Sequence, residues 1–203
     1  MDQFLSSLIA SIAAIIGGLI AGIFSLYAVK LTNQHNQERL EKKEAKELQG
    51  LLQALHSEIE SVFEHYQNTA GKYVENCITN KMQINSHYPI YSDYFTVYNE
   101  NASLIGRIQN DTLLTLLVQT YAKAKSLIDS FKMNNEQLAK YEQLCAVVSK
   151  TNNEFNNQKA TEHEKTLIEY SEQIKSLHVE VIKCVNNLLT QLKQEITSNQ
   201  NTL

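Results

Sequence analysis

The chain has one proline, six glycines, three cysteines and, from Phe4 to Val29, no charged residue. Each shortage excludes something. The glycines stand at 17, 18, 22, 50, 71 and 106, too scattered for a P-loop, a dinucleotide fingerprint or a Gly-x-Ser-x-Gly elbow, which need glycine at short, fixed spacing. Cys77, Cys145 and Cys184 are an odd, widely spaced set with no Cys-x-x-Cys, which fits a reducing compartment and no disulfide framework. Five of the six histidines, His56, His65, His87, His163 and His178, are scattered and form no His-Glu-x-x-His and no Glu-x-x-His pair. Glu60 and Glu64 share a helical face beside His65, which reads as a solvated charged face and not a metal site. No catalytic residue, metal or cofactor is expected. The net charge is −4 without a basic stripe, so nucleic acid is not an expected partner.

What is present begins with the uncharged run. As a helix, residues 4–29 rise about 39 Å at roughly 1.5 Å per residue, against a hydrocarbon core of about 30 Å. The spacing predicts one tilted transmembrane helix within residues 1–30. A cleaved signal peptide would need a basic start and small residues before the cut. Met1-Asp2-Gln3 lacks the first, and Leu26 and Tyr27 stand where the second would lie. Lys30, Arg39, Lys42, Lys43 and Lys46 follow the span, which predicts that the C-terminal part is cytoplasmic.

Ser7, Ser11, Ala14, Gly18, Gly22 and Ser25 recur at three- or four-residue steps along this run. Small side chains on one helical face let backbones approach closely, so these six are the candidate oligomerisation residues of a homo-oligomer in the lipid bilayer. Residues 31–47 carry charge on nearly every face, with Glu38–Lys42 and Lys43–Glu47 at i,i+4 spacing, and read as a polar helical stalk.

From 48 to 197 the pattern is that of a helical bundle. Leu48, Leu52, Leu55, Ile59, Val62, Tyr66 and Tyr73 follow heptad spacing apart from one skipped position at Thr69, with the helix ending near Gly71 to Asn76. This seam suits either an intermolecular coiled coil or a bundle, and later segments supply bundle partners. Asn110-Asp111 starts a second helix with Leu113, Leu117, Tyr121, Ala124, Leu127 and Phe131 on its apolar face, continuing through Leu138, Leu144 and Val148. An irregularity is expected at Met133 to Asn135. Residues 151–157 read as a turn, and a third helix follows with Leu167, Tyr170, Ile174, Leu177, Val181, Val185, Leu188, Leu192 and Ile196 on one side. Residues 198–203 should be a disordered tail. The fold class expected is all-α, with an antiparallel up-down-up bundle.

The insertion at 76–110 holds Pro89 and the aromatic cluster Tyr88, Tyr91, Tyr94, Phe95 and Tyr98, with Ser92 as a cap for a short helix ending at Gly106. Tyrosine at this density either wedges between helices with its hydroxyls at the rim or forms a docking surface. Tyr88, Tyr91, Tyr94 and Tyr98 are therefore the candidate residues for binding a cytoplasmic protein partner.

Tyr98-Asn-Glu-Asn-Ala-Ser-Leu-Ile-Gly106, followed by Leu116-Leu-Val-Gln-Thr-Tyr121 and Ser126-Leu-Ile-Asp129, resembles a pattern in small bacterial single-pass membrane proteins with a helical cytoplasmic domain. The layout is similar to accessory membrane proteins of phage defence, including one that accompanies RNA-targeting CRISPR effectors. The resemblance implies a membrane effector or pore. Helical nuclease-like domains of such proteins carry an Arg followed after four to six residues by a His. Here Arg39 and Arg107 lack that His, which argues against a ribonuclease. The reading that follows is a self-associating membrane protein without catalytic activity, with a monomeric or dimeric tether as the alternative.

Overall fold

A computed structural model describes residues 2–90, 93–151 and 154–200; the side chains of 2–16, 19, 20, 150, 151 and 200 lie outside that description. Among the described residues the only regular structure is helical, joined by loops, without strands. Helix α1 spans Asp2–Tyr66, a π-helical turn follows at Gln67–Gly71, and α2 spans Lys72–Thr79. Short helices α3 (Thr96–Glu100) and α4 (Ala102–Ile105) precede the long α5 (Asp111–Thr151) and α6 (Glu154–Gln200). The chain divides into two compact units, residues 1–47 and 48–202.

In the first unit every described side chain from 21 to 47 is exposed. Most of the expected membrane span, residues 4–16, 19 and 20, lies outside the described side chains. Among the described residues no helix is long and apolar enough to cross a membrane.

The second unit is one hydrophobic core. Its seams follow the heptad rule, because steps of four and three keep side chains on one face of a 3.6-residue helix. Leu52, Leu55, Ile59 and Phe63 of α1 are buried against Leu113, Leu117, Ala124, Leu127 and Phe131 of α5 and Ile174, Val181, Val185, Leu188 and Leu192 of α6. The seam from Leu48 onward is therefore satisfied within the chain.

Cross-helix bonds fix the directions. His163–Gln137, Lys123–Glu180 and Asn110–Glu195 pair rising positions on α5 with falling ones on α6, so these two are antiparallel. Glu58–Tyr121 and Tyr66–Phe131 rise together, so α1 and α5 run parallel. The course is up-up-down, which corrects the expected up-down-up. The reason lies in 80–95, which returns the chain along the bundle: Tyr88 meets Thr69 and Asn135, while Val97 meets Glu58. Sixteen extended residues reach about 50 Å, as far as about thirty helical ones. Insertions of this length permit a crossover in place of a tight turn.

Several boundaries differ from expectation. Gly71 does not end the first helix; the π turn carries it into α2, which closes with Met82 N–H donating to Cys77 O at 2.8 Å and Lys81 at φ 55°. That left-handed residue after the cap is the usual way of satisfying the last carbonyls. Past the turn Ala70, Val74 and Cys77 are enclosed, one position on from the Thr69, Tyr73 and Asn76 of the expected heptad, in the register that buried Phe63 already takes in place of Val62. Residues 154–157 are helical and not a turn, α5 passes through Met133–Asn135 unbroken, and α6 continues to Gln200, into the expected tail. The single short helix expected up to Gly106 is two, parted at Asn101, and its expected cap, Ser92, lies outside the described residues. Asn110 does cap α5, its Oδ1 accepting from Leu113 N–H at 3.1 Å.

On α6 the buried row is Leu167, Ser171, Ile174, His178, Val181, Val185, Leu188 and Leu192. Ser171 and His178 take the seam positions expected for Tyr170 and Leu177, which are only half-buried.

Candidate functional site

The candidate self-association face begins from residue size. Gly18 and Gly22 are exposed, and a Cβ added to either would meet nothing within 4 Å. Ser25 is exposed one helical step further. Ser7, Ser11 and Ala14 lie outside the described side chains. Around the small residues stand large apolar ones open to their surroundings, including Ile23 at 67%, Phe24 at 70% and Leu26 at 73% exposure, with Tyr27, Val29 and Leu31 close behind. Scattered exposed apolar residues are ordinary on protein surfaces. A run of six within nine helical positions is not.

The tyrosine-rich segment is placed differently. Tyr88, Tyr94 and Tyr98 are half-buried and pack on the core; Tyr91 lies outside the described residues. Tyr98 stacks on Tyr121 with ring centroids 4.0 Å apart and planes at 13°, and Tyr88 sits 5.3 Å from the Phe131 ring. The Tyr88 hydroxyl is at the rim, 2.8 Å from Thr69 Oγ1. Asn135 clamps the Tyr88 backbone in both directions, accepting from its N–H at 3.0 Å and donating to its carbonyl at 2.7 Å. The rings wedge between helices, as aromatic bodies with one polar end commonly do.

Glu58 holds this segment down. Its carboxylate accepts from the backbone N–H groups of Val97 at 2.6 Å and Tyr98 at 3.2 Å and from the Tyr121 hydroxyl at 2.9 Å. The two N–H groups are otherwise unpaired donors in the first turn of α3, supplied here with a charged acceptor from another helix. Burial, and next the Glu58 carboxylate, hold the Tyr121 phenol above its ordinary range.

Under the segment lies an apolar cavity of about 60 Å³ lined by residues including Ile59, Phe63, Tyr94, Leu127, Phe131 and Val185. It is small beside the roughly 300–1,000 Å³ of metabolite-sized sites. Beside it, the Tyr66 hydroxyl meets His178 Nδ1 at 2.7 Å, and His178 Nε2 stands 3.8 Å from Glu75. Burial pushes His178 below its ordinary value, with Glu75 opposing, and pushes the Tyr66 phenol up. Asn134 is fully enclosed, and neither of its amide atoms has a hydrogen-bond partner. Among the described residues no group of three or more His, Cys, Asp or Glu could hold a metal.

Sequence reasoning placed Tyr66 and Tyr121 on apolar seams but passed over Glu58 and the seam position of His178. Heptad spacing counted without regard to polarity would have found His178, which lies four residues from Ile174 and three from Val181. Nothing local marks Glu58, whose partners are some forty or more positions away. Comparison with family models, curated proteins and solved structures finds no match for this chain.

Proposed function

We propose that the protein is a membrane-anchored, self-associating helical protein without catalytic activity. In this reading residues 1–30 are a single span, 31–47 a polar stalk and 48–197 a bundle on the cytoplasmic side of a bacterial inner membrane. The observation that carries it is the open, uncharged run from Ile23 to Val29, next to glycines whose faces are clear of other atoms. Such a surface is stable in hydrocarbon or against a like helix, and costs free energy in water. Its sharpest form is an oligomeric pore or effector in phage defence, the setting of the proteins whose layout it resembles. A single span needs several copies to enclose a lumen.

The alternative, a tether docking a partner through Tyr88, Tyr91, Tyr94 and Tyr98, draws less support because three of these rings pack on the core. Alkaline carbonate extraction of membranes carrying the full chain tests the anchor, with protease added to intact spheroplasts to test sidedness. Retention in the pellet, with the bundle protected from external protease, is the expected result. Release by carbonate overturns the anchor, and cleavage of the bundle from outside overturns the orientation.

A further inference from the structure

We propose that Tyr66 and His178 form a pH-sensitive latch that fastens the α1–α2 junction to α6 while His178 is neutral and frees it when the imidazole is protonated. The latch does not depend on the membrane reading.

The first ground is the position of the bond. It joins residues 112 apart in sequence at 2.7 Å. Tyr66 is the last residue before the π turn Gln67–Gly71, where the helix takes in one residue too many and neither flank has a side-chain cap. Turns of this kind are local departures from the best helical hydrogen bonding and often mark a functional point. Gly71 is buried within the turn, and a Cβ there would press on the Tyr66 carbonyl at 3.2 Å. Opening at Tyr66 therefore acts directly on the turn and on α2 behind it.

The second ground is the chemistry of the pair. The pair can bond with the Tyr66 O–H donating to a bare Nδ1 or with Nδ1–H donating to the phenol oxygen; the Glu75 carboxylate beside Nε2 favours the neutral tautomer with its proton there, in which Tyr66 donates. Protonation puts a hydrogen on Nδ1, so the contact must reverse towards the phenol oxygen and the Tyr66 O–H must turn away from the ring. It also places a charge on a side chain 1% exposed, between Ile174 and Val181 on the seam.

The groups facing the imidazole are few. From α1 there is Tyr66 and from α2 Glu75, whose carboxylate is 3.8 Å from Nε2 and largely solvated. The 80–95 segment brings Tyr88 up behind Tyr66, and α5 brings the uncharged ring of Phe131, 6.5 Å from that of Tyr66. On α6 itself, Lys175 is tied to Glu172. Burial outweighs Glu75, so His178 is held below its ordinary value of 6.5. The unfolded chain then binds the proton more readily than the folded one. The stabilisation is complete above pH 6.5 and is lost as the pH falls below it.

Hydrogen exchange of the full-length protein in nanodiscs, followed from about pH 8 to about pH 5 and corrected for intrinsic exchange, tests the latch. Amides of residues 67–79 should lose protection on acidification by about tenfold or more relative to those of 111–131, as a local opening requires. His178→Gln keeps a neutral acceptor and should give a profile flat with pH. Glu75→Gln leaves the latch in place but removes the opposing charge, so its transition should move to lower pH; this variant serves if His178→Gln fails to fold. Unchanged protection of 67–79, an equal loss over 111–131, or an unmoved transition in Glu75→Gln would each overturn the proposal.

Discussion

The Glu58 carboxylate on α1 and the Tyr121 hydroxyl on α5 meet at 2.9 Å, joining two helices that run the same way. That bond is possible because 80–95 carries the chain back before α5 begins. The same carboxylate seats the start of α3.

Glu58→Gln is therefore expected to cost about 1–3 kcal/mol, the usual worth of hydrogen bonds to a charged group. Chemical denaturation gives the figure. Hydrogen exchange should show the loss concentrated in residues 96–105. A change below a few tenths of a kcal/mol would mean that the segment is held by its tyrosine rings alone.

Gly50 and Gly71, the two glycines that the first helical stretch carries within the bundle, should respond in opposite directions to alanine. Gly50 is exposed and a Cβ there meets nothing within 4 Å, so Gly50→Ala should stabilise by about 0.5–1 kcal/mol through helix propensity. Gly71→Ala brings a Cβ within 3.2 Å of the Tyr66 carbonyl, a backbone atom with little freedom to yield. It should destabilise. Thermal melts of both variants check the pair, and equal shifts would argue against a π turn at 67–71.

Much of this fold was legible from spacing, and the exceptions have physical causes. Apolar periodicity marks the long helices because each must bury one stripe. It misses Ser171 and His178 because a seam position can hold a polar side chain whose hydrogen bonds come from distant residues, here Ile84 and Tyr66. The skipped heptad position at Thr69 was a visible sign of the π turn, but one irregular step does not distinguish a bulge from a helix end. Chain direction was hidden because an insertion of the length of 76–110 suits a turn or a crossover equally well. Of the candidate site residues, Gly18, Gly22 and Ser25 are exposed, and Tyr88, Tyr94 and Tyr98 are half-buried, a distinction that depends on tertiary packing.

Asn134 offers a gain of stability. An enclosed amide with neither atom paired forfeits about 1–3 kcal/mol relative to an apolar group of similar shape. Asn134→Leu should raise the Tm by several degrees, at about 2–4 °C per kcal/mol for a chain of this size. A fall of similar size would show that the amide is satisfied in solution, with a buried water the natural partner.

At the alkaline end, Tyr66 and Tyr121 should resist ionisation. Burial, which is the larger cause for both, holds these phenols above the ordinary 10.0. The folded state keeps the proton more tightly than the unfolded one, so the stabilisation is present below pH 10 and is lost as the pH rises beyond it. A spectrophotometric titration should show Tyr66 and Tyr121 ionising only with unfolding, and Tyr121→Phe should remove one tyrosine from that late step. An undiminished late step in that variant would contradict the assignment.

The central claim is self-association through the N-terminal helix, and the mass of the full-length protein in nanodiscs tests it most directly. The account predicts a discrete assembly of about five or more chains. Gly18→Leu with Gly22→Leu should reduce it to monomer or dimer, since the change keeps the span apolar while closing the small-residue face. A wild-type monomer, or an assembly indifferent to both substitutions, would contradict it.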